Sequence, residues 1–564
     1  MTLARYVAGK AAPDAQPPGG AMTEISYAGG PTDVGLLEET LGDAFDRTVR
    51  RWGDRPALVV PFQDVRLSYS ELASEVERVA RAFLALGLHK GDRVGMWSPN
   101  NAEWVYVQFG AAKAGLILVN INPAYQTEEL RFALAQSGCR ALVAASSFKT
   151  SDYEAMVAEV REGLPELEYA VFLDSSAWAE FLSGGDGVAP GALAERSGAL
   201  DRHDPINIQY TSGTTGFPKG ATLSHRNLLN NGFFLGEGFR YTEQDKVCIP
   251  VPFYHCFGMV IGNLACVTHG STIVLPAPSF EPLATLRAVE SERCTSLLGV
   301  PTMFIGMLGH PEFGRFDLSS LRTGMMAGSP CPVEIMKRCV GEMHMDEVTI
   351  GYGMTETSPV STQTAPDDPL EMRVASVGRV HPHVEIKIVD PSDGATVERG
   401  MPGEFCTRGY SVMLGYWEEP ERSAEAIDSD GWMHTGDLAT MDADGYVAIV
   451  GRIKDMIIRG GENVYPREVE EFLYGHPDIV DVQVIGIPDA KYGEELVAWV
   501  QVRPGATLTR DDVASYCAGK IAHFKIPRYV HVTEDFPMTV TGKVQKFKMR
   551  EVSIELLADR ASQS

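Results

Sequence analysis

Between Ser68 and Ala144 the chain alternates helix-period and strand-period segments, and few architectures accommodate that spacing. Ser68-Tyr69-Ser70-Glu71 reads as a capping box, with Ser at the N-cap and Glu three residues into the turn. Leu72, Val76, Val79, Phe83 and Leu86 follow at helical spacing, and Gly87 ends the run. Then come a strand at Val94–Trp97, a helix at Ala102–Lys113, a strand at Leu116–Val119, a helix at Thr127–Gln136 and a strand at Ala141–Ala144. Strands separated by helices at this distance predict βαβ units and a parallel sheet. The alternation resumes over Val247–Val360, with Thr272–Leu275 and Ser296–Val300 as short apolar strands. Val384–Tyr416 differs: its alternating segments, split by Asp-Gly and Pro-Gly, predict a β-rich subdomain.

After Gly451 a compact unit is predicted, with helices at Pro466–Tyr474 and Arg510–Ile521 and strands at Ile479–Ile485, Leu496–Val502 and Tyr529–Val532. The fold class is therefore α/β: a large N-terminal domain over residues 31–452, with a β-rich subdomain, and a small α+β C-terminal domain over 453–564. Residues 1–30, rich in Gly, Pro and Ala, are expected to be disordered, with Met22 a second candidate start and order beginning in Gly35–Trp52. Gly184–Leu200 reads as a surface insertion.

At 564 residues the chain is too long for one ordinary core. No segment matches the ~18 uninterrupted apolar residues of a membrane span; Val105–Ile121 comes nearest and contains Gln108 and Lys113. The N-terminus has neither a signal core nor an Arg-rich targeting pattern, and the nine cysteines form no CxxC pair. A cytoplasmic protein without a disulfide framework or a zinc site is expected. The net charge of −26 argues against a nucleic-acid surface, so any anion site must be locally basic. One stretch is: Lys520, Lys525, Arg528, Lys543, Lys546, Lys548 and Arg550 face only Glu534 and Asp535 in sequence.

Chemistry concentrates first at Thr211-Ser212-Gly213-Thr214-Thr215-Gly216-Phe217-Pro218-Lys219-Gly220, between a strand-like Ile206–Tyr210 and a helix capped by Ser224. Glycines let backbone N–H groups approach phosphate oxygens, and hydroxyls and an ammonium complete the donor set. It is not the mononucleotide P-loop, because Pro218 precedes Lys219 and Gly220 follows it. In Gly351-Tyr352-Gly353-Met354-Thr355-Glu356, glycines flank an aromatic ring and would leave its face open to a planar base. Thr355 and Glu356 supply a hydroxyl and a hard carboxylate suited to phosphate and Mg²⁺. Asp437, closing Gly431–Asp437, is a carboxylate of the kind that binds a ribose diol. Lys543 lies on a second Thr/Gly-rich loop.

Together these motifs resemble those of the adenylate-forming superfamily of acyl-CoA synthetases, luciferases and peptide-synthetase adenylation domains. The resemblance runs from about Ser68 to Arg550. It implies that the 211–219 loop grips ATP phosphates, and that Gly328, Ser329, Tyr352, Gly353 and Thr355 surround the adenine and phosphates. Glu356 would hold the metal, Asp437 and Arg452 the ribose, and Lys543 would be the catalytic lysine, acting with Lys219, Thr355 and Glu356. The C-terminal domain would be a mobile lid hinged at Lys454, with Gly461 on the loop approaching the coenzyme A channel. Two half-reactions follow: a carboxylate and Mg·ATP give acyl-AMP and pyrophosphate, and a thiol then displaces AMP.

Pro252–Gly258 resembles the stretch that lines the acyl site, with Tyr254, His255 and Gly258 as candidates. Relatives that activate amino acids carry an acidic residue there; this chain has Tyr254-His255. Apolar Phe253, Phe257, Met259, Val260 and Ile261 suit an alkyl chain. The runs GATLSHRNLLNN, KDMIIRGGENVYP and AHFKIPRYV resemble the medium-chain fatty acyl-CoA synthetases most closely. The expected co-substrates are ATP with Mg²⁺ and coenzyme A, the latter able to use the basic lid surface for its phosphates. Other readings are a fatty acyl-AMP ligase loading a carrier protein and a non-catalytic nucleotide sensor; the resemblance leaves a homodimer open.

Overall fold

The computed structural model describes residues 24–189, 191–211, 218–329, 331–460, 462–489, 491–538 and 544–562. The capping box forms as its sequence dictates: Ser68 caps the helix Tyr69–Ala85 with Glu71 reciprocating, and Gly87 leaves it with positive φ. The next helix, Ala102–Ala114, is buried on nearly every side. Apolar all round, it lies inside the large domain, and Gly110 lets it approach the Tyr69–Ala85 helix closely, since a Cβ there would meet Val79 at 2.7 Å. That explains the span-like Val105–Ile121. Among the described residues no helix is long and apolar enough to cross a membrane.

Strands Ile117–Asn120, Arg93–Trp97, Cys139–Ala144 and Tyr169–Phe172 run parallel in a seven-stranded sheet. The same sheet takes in Pro205–Thr211 (parallel to Ile117–Asn120), Lys219–Ser224 and Gly415–Tyr416. A nine-stranded sheet holds Thr272–Val274, Lys246–Cys248, Ser296–Gly299, Thr323–Met326 and Glu347–Gly353 in parallel. The β-rich subdomain is a five-stranded antiparallel sheet in the order Tyr27–Gly29, Val384–Val389, Gly403–Gly409, Met433–Met441, Val447–Arg452. The chain leaves it through the turn Ile453–Asp455, and the next strand, Ile457–Arg459, belongs to another sheet with Ile479–Asp489, Gly493–Val502 and Tyr529–Val532. That sheet has its own core around Val482, Val484, Leu496 and Val500.

One expectation is corrected and two segments gain detail. Residues 24–30 are part of the fold, because Tyr27–Gly29 pairs with Glu385–Lys387 and completes the subdomain edge; 1–23 lie outside the described residues. Gly184–Leu200 lies at the surface as expected and is tied down there: Leu193 is buried, and Arg196 donates to the carbonyls of Leu88 and Ala114. The 257–264 segment, which sequence marks only as apolar, is a π-helix buried throughout. Such one-turn widenings recur at functional sites.

Two buried histidines give the fold a pH dependence. His225 accepts the Leu41 N–H through Nδ1, and His381 pairs with Gln363 Oε1 through Nε2. Burial pushes each imidazole down to about 4. The unfolded chain, titrating near pH 6.5, binds more protons between the two values, so stability is lost as pH falls from about 6.5 towards 4. At pH 5 each histidine should cost about 2 kcal/mol relative to pH 7. Thermal midpoints at the two pH values should therefore differ, and by less in His381→Gln. An unchanged difference in that variant would remove His381 from the account.

Candidate active site

Three sheets converge at one place. From the seven-stranded sheet, Pro205–Thr211 and Lys219–Ser224 pair antiparallel with Thr211 opposite Lys219, so the strands deliver the ends of the Ser/Thr/Gly loop together. Ser212, Gly213, Thr214, Thr215, Gly216 and Phe217 lie outside the described residues, as do Gly461 and Lys543. Pro218 is described and precedes the second strand. From the nine-stranded sheet, Glu347–Gly353 runs into a short turn, Thr355–Thr357, that carries Glu356.

The two sheets meet through Glu356. Its Oε1 accepts from Thr211 Oγ1 at 3.2 Å and from the Tyr416 hydroxyl at 2.9 Å. The Lys219 ammonium sits 4.8 Å from the Tyr416 ring centroid. Glu356 is 5% exposed, yet among the described residues it forms no ion pair with a cationic side chain. A buried carboxylate fixed by two neutral donors is a place for a hard cation. Burial first, then the Glu356 charge, raises the Tyr416 phenol above its ordinary range, so it stays a donor. Sequence reasoning does not find Tyr416; its only signal is a Gly-Tyr-Trp run at the end of the β-rich segment.

The subdomain supplies the second half. Asp437 and Arg452 are cross-strand partners, and Arg452 Nε donates to Asp437 Oδ1 at 3.1 Å. Tyr352 donates its hydroxyl to Asp437 Oδ2 at 2.7 Å. Both oxygens are thus oriented, and a carboxylate's remaining lone pairs can still accept from a diol. The neighbouring Asp437 charge raises the Arg452 pKa, and burial, then Asp437, raises that of Tyr352. The glycines around Tyr352 also allow close backbone packing. A Cβ on Gly353 would stand 1.8 Å from Pro359 O, and one on Gly351 2.7 Å from Met325 Cε, while the Tyr352 ring packs edge-on to Phe405 at 5.0 Å. Gly328, in the left-handed region at φ 90°, and Ser329 follow the adjacent strand Thr323–Met326.

The turn entering the π-helix lies against this centre, with Cys256 Sγ 3.7 Å from Thr355 Oγ1. His255 Nδ1 accepts the Phe257 amide at 3.1 Å, which sets the ring. Tyr254 is anchored by Asn120, whose amide donates to its carbonyl at 2.9 Å, and its buried hydroxyl meets no partner among the described residues. Gly258 is a close backbone approach: a Cβ there would meet Pro252 O at 2.5 Å. Larger residues at 258 would therefore displace the turn before they filled any channel.

Lys454 lies in the turn between the subdomain and C-terminal sheets. Past it, Arg467 donates to Ile449 O at 2.8 Å, and burial, with Arg467 opposing and Glu471 adding, pushes the Cys331 thiol up to about 12. The helix Pro466–Leu473 is thus joined to the strand Val447–Arg452. The basic cluster is more neutral than its composition suggested. Lys525 pairs with Glu468, Arg528 with Glu495 and Asp489, Lys546 with Glu470, and Arg550 with Glu494. These acids come from other parts of the same domain, invisible in a local charge count.

Comparison with known proteins points to one family. A family model described as AMP-binding enzyme matches residues 45–417, and one described as AMP-binding enzyme C-terminal domain matches 468–543. YngI of Bacillus subtilis (strain 168) is 47% identical over 547 residues, spanning 94% of this chain and 100% of that protein. The mitochondrial medium-chain acyl-CoA ligase ACSF2 of Rattus norvegicus is 43% identical over 550 residues, spanning 93% and 89%. A crystal structure of the anthranilate CoA ligase AuaEII in complex with anthranoyl-AMP superposes with a TM-score of 0.81 at 27% identity, covering 92% of this chain and 98% of that one.

Proposed function

Because the chain belongs to the AMP-binding enzyme family, we propose that it is an ATP-dependent acyl-CoA synthetase acting on fatty acids of intermediate length. The observation that carries the reading is the junction at Glu356, where groups from two sheets assemble around one buried carboxylate.

In the first half-reaction a fatty carboxylate oxygen attacks the α-phosphorus of ATP, the bond to the β-phosphate oxygen breaks, and pyrophosphate leaves. Negative charge gathers on the phosphate during attack, and fixed donors pre-aimed there lower the barrier. Thr211, Lys219 and the intervening loop are the donors this chain offers, with Lys543 brought by the C-terminal domain. Asp437, oriented by Arg452 and Tyr352, would hold the ribose, with Gly328, Ser329 and Tyr352 beside the base. Glu356 would hold Mg²⁺, which when bound offsets phosphate charge. In the second half-reaction the coenzyme A sulfur attacks the acyl carbonyl and AMP leaves. Rotation about Lys454 would exchange Lys543 for the loop carrying Gly461.

Two observations support the intermediate chain length. Phe253, Phe257, Met259, Val260 and Ile261 are buried around His255, and among the described residues this turn contributes no carboxylate to neutralise an amino-acid ammonium. The name of the ACSF2 relative points the same way. Pyrophosphate release measured against straight-chain acids from acetate to palmitate should peak at intermediate length. Thioester and AMP should accumulate only when coenzyme A is added. A best substrate of acetate, benzoate or an amino acid by a wide margin would overturn the specificity. Acyl-AMP that coenzyme A cannot consume would point instead to a ligase that loads a carrier protein.

A further inference from the structure

Away from the nucleotide groups, the subdomain sheet gathers three side chains of metal-binding type. Cys406 and His434 face each other as cross-strand partners between Gly403–Gly409 and Met433–Met441. Glu404 lies two residues before Cys406, with a register shift between them. His434 Nδ1 stands 2.9 Å from Glu404 Oε2 and 3.5 Å from Cys406 Sγ, and all three ligand atoms lie within 4.8 Å of one another. A tetrahedral zinc ion with bonds of about 2.0–2.3 Å needs its ligand atoms roughly 3.3–3.7 Å apart, so small shifts suffice.

The surroundings fit as well. The other ring nitrogen, Nε2, lies 3.6 Å from Asp428 Oδ2, the carboxylate–imidazole arrangement that orients metal-bound histidines. Cys406 is buried against Val389 and Trp432 while a third of the His434 side chain is exposed, which leaves a position for water on the open side. Sheet hydrogen bonds hold both strands, so the ligands are pre-placed rather than gathered from loops.

We propose that Glu404, Cys406 and His434 form a site for a borderline-soft divalent ion such as zinc, with water as fourth ligand. Binding displaces the Cys406 proton to solvent, and the imidazole ligates through Nδ1 with its proton on Nε2 towards Asp428. The site also has a route to the nucleotide. Glu404 Oε1 accepts the Gly436 amide at 3.0 Å, immediately before Asp437. A metal that draws Glu404 towards Cys406 loosens that amide, so loading raises the KM for ATP and leaves kcat nearly unchanged; this second step rests on the ribose role of Asp437.

Cobalt(II) tests the site independently of catalysis. One equivalent added to the metal-free full-length protein should give a thiolate-to-cobalt charge-transfer band that zinc abolishes and millimolar Mg²⁺ does not. Cys406→Ser should lose the band, and Glu404→Gln, a gentler change, should keep it but weaken cobalt binding at least about tenfold. Thermal midpoints check that both variants fold. No band at one equivalent, or one that persists in folded Cys406→Ser, overturns the site. A normal band with a zinc-insensitive KM for ATP overturns only the coupling.

Discussion

Glu356→Gln is expected to lower acid-dependent pyrophosphate release by roughly two to three orders of magnitude, the usual scale for removing one charge-stabilising group. The substitution is nearly isosteric. Its amide oxygen can still accept from Thr211 and Tyr416, so the junction between the two sheets is kept. What disappears is a negative charge at a buried point without a cationic partner among the described residues. An unpaired buried charge is unfavourable, so the variant should melt at the same temperature as the parent or above it. Slower catalysis at undiminished stability is the signature of a group kept for chemistry. Activity within a few fold of the parent at saturating Mg·ATP would show that the carboxylate serves only to join the sheets.

Lys543→Ala should separate the two half-reactions. Acid-dependent pyrophosphate release should fall by about two orders of magnitude or more. Supplied with preformed acyl-AMP and coenzyme A, the variant should make thioester at close to the parent rate. The expectation rests on the family's catalytic lysine and on what flanks the segment. Met538 and Val544 pair as an antiparallel bridge and Gln545 donates to Pro537 O, so the two ends of the Lys543 segment are held together. If the C-terminal domain rotates about Lys454 as proposed, a lysine carried on it would serve one pose only. Equal loss in both assays, with folding intact, would mean that it serves both.

What can be read in the chain follows from how local the deciding interactions are. The Ser68–Glu71 capping box spans four residues and forms as its pattern predicts. The strand Tyr27–Gly29 cannot be read that way. Its pattern is three residues long, and the Tyr27 hydroxyl finds its acceptor, Glu385, 358 positions further on in the partner strand. Asp437 and Arg452 sit close in sequence on paired strands, whereas Tyr352, their third partner, comes from another sheet with no sequence link to them. Tyr416 escapes sequence reading for the same reason. The basic run near the C-terminus misleads because its neutralising glutamates are 33 to 76 residues away.

The π-helix has a corollary for how such a protein changes. Phe257–Leu264 holds one residue more per turn than an α-helix would, and both its ends are anchored, by the His255 turn and by the helix Ala265–His269. Losing a single codon inside it would let the segment fall back to ordinary winding without breaking the chain's path. The anchored flanks would keep their facing, and the side chains of the π-helix itself would be re-placed around its axis. Most inherited drift repaints a cavity one wall at a time; here a one-residue deletion re-deals a whole row of apolar side chains beside His255 in one step.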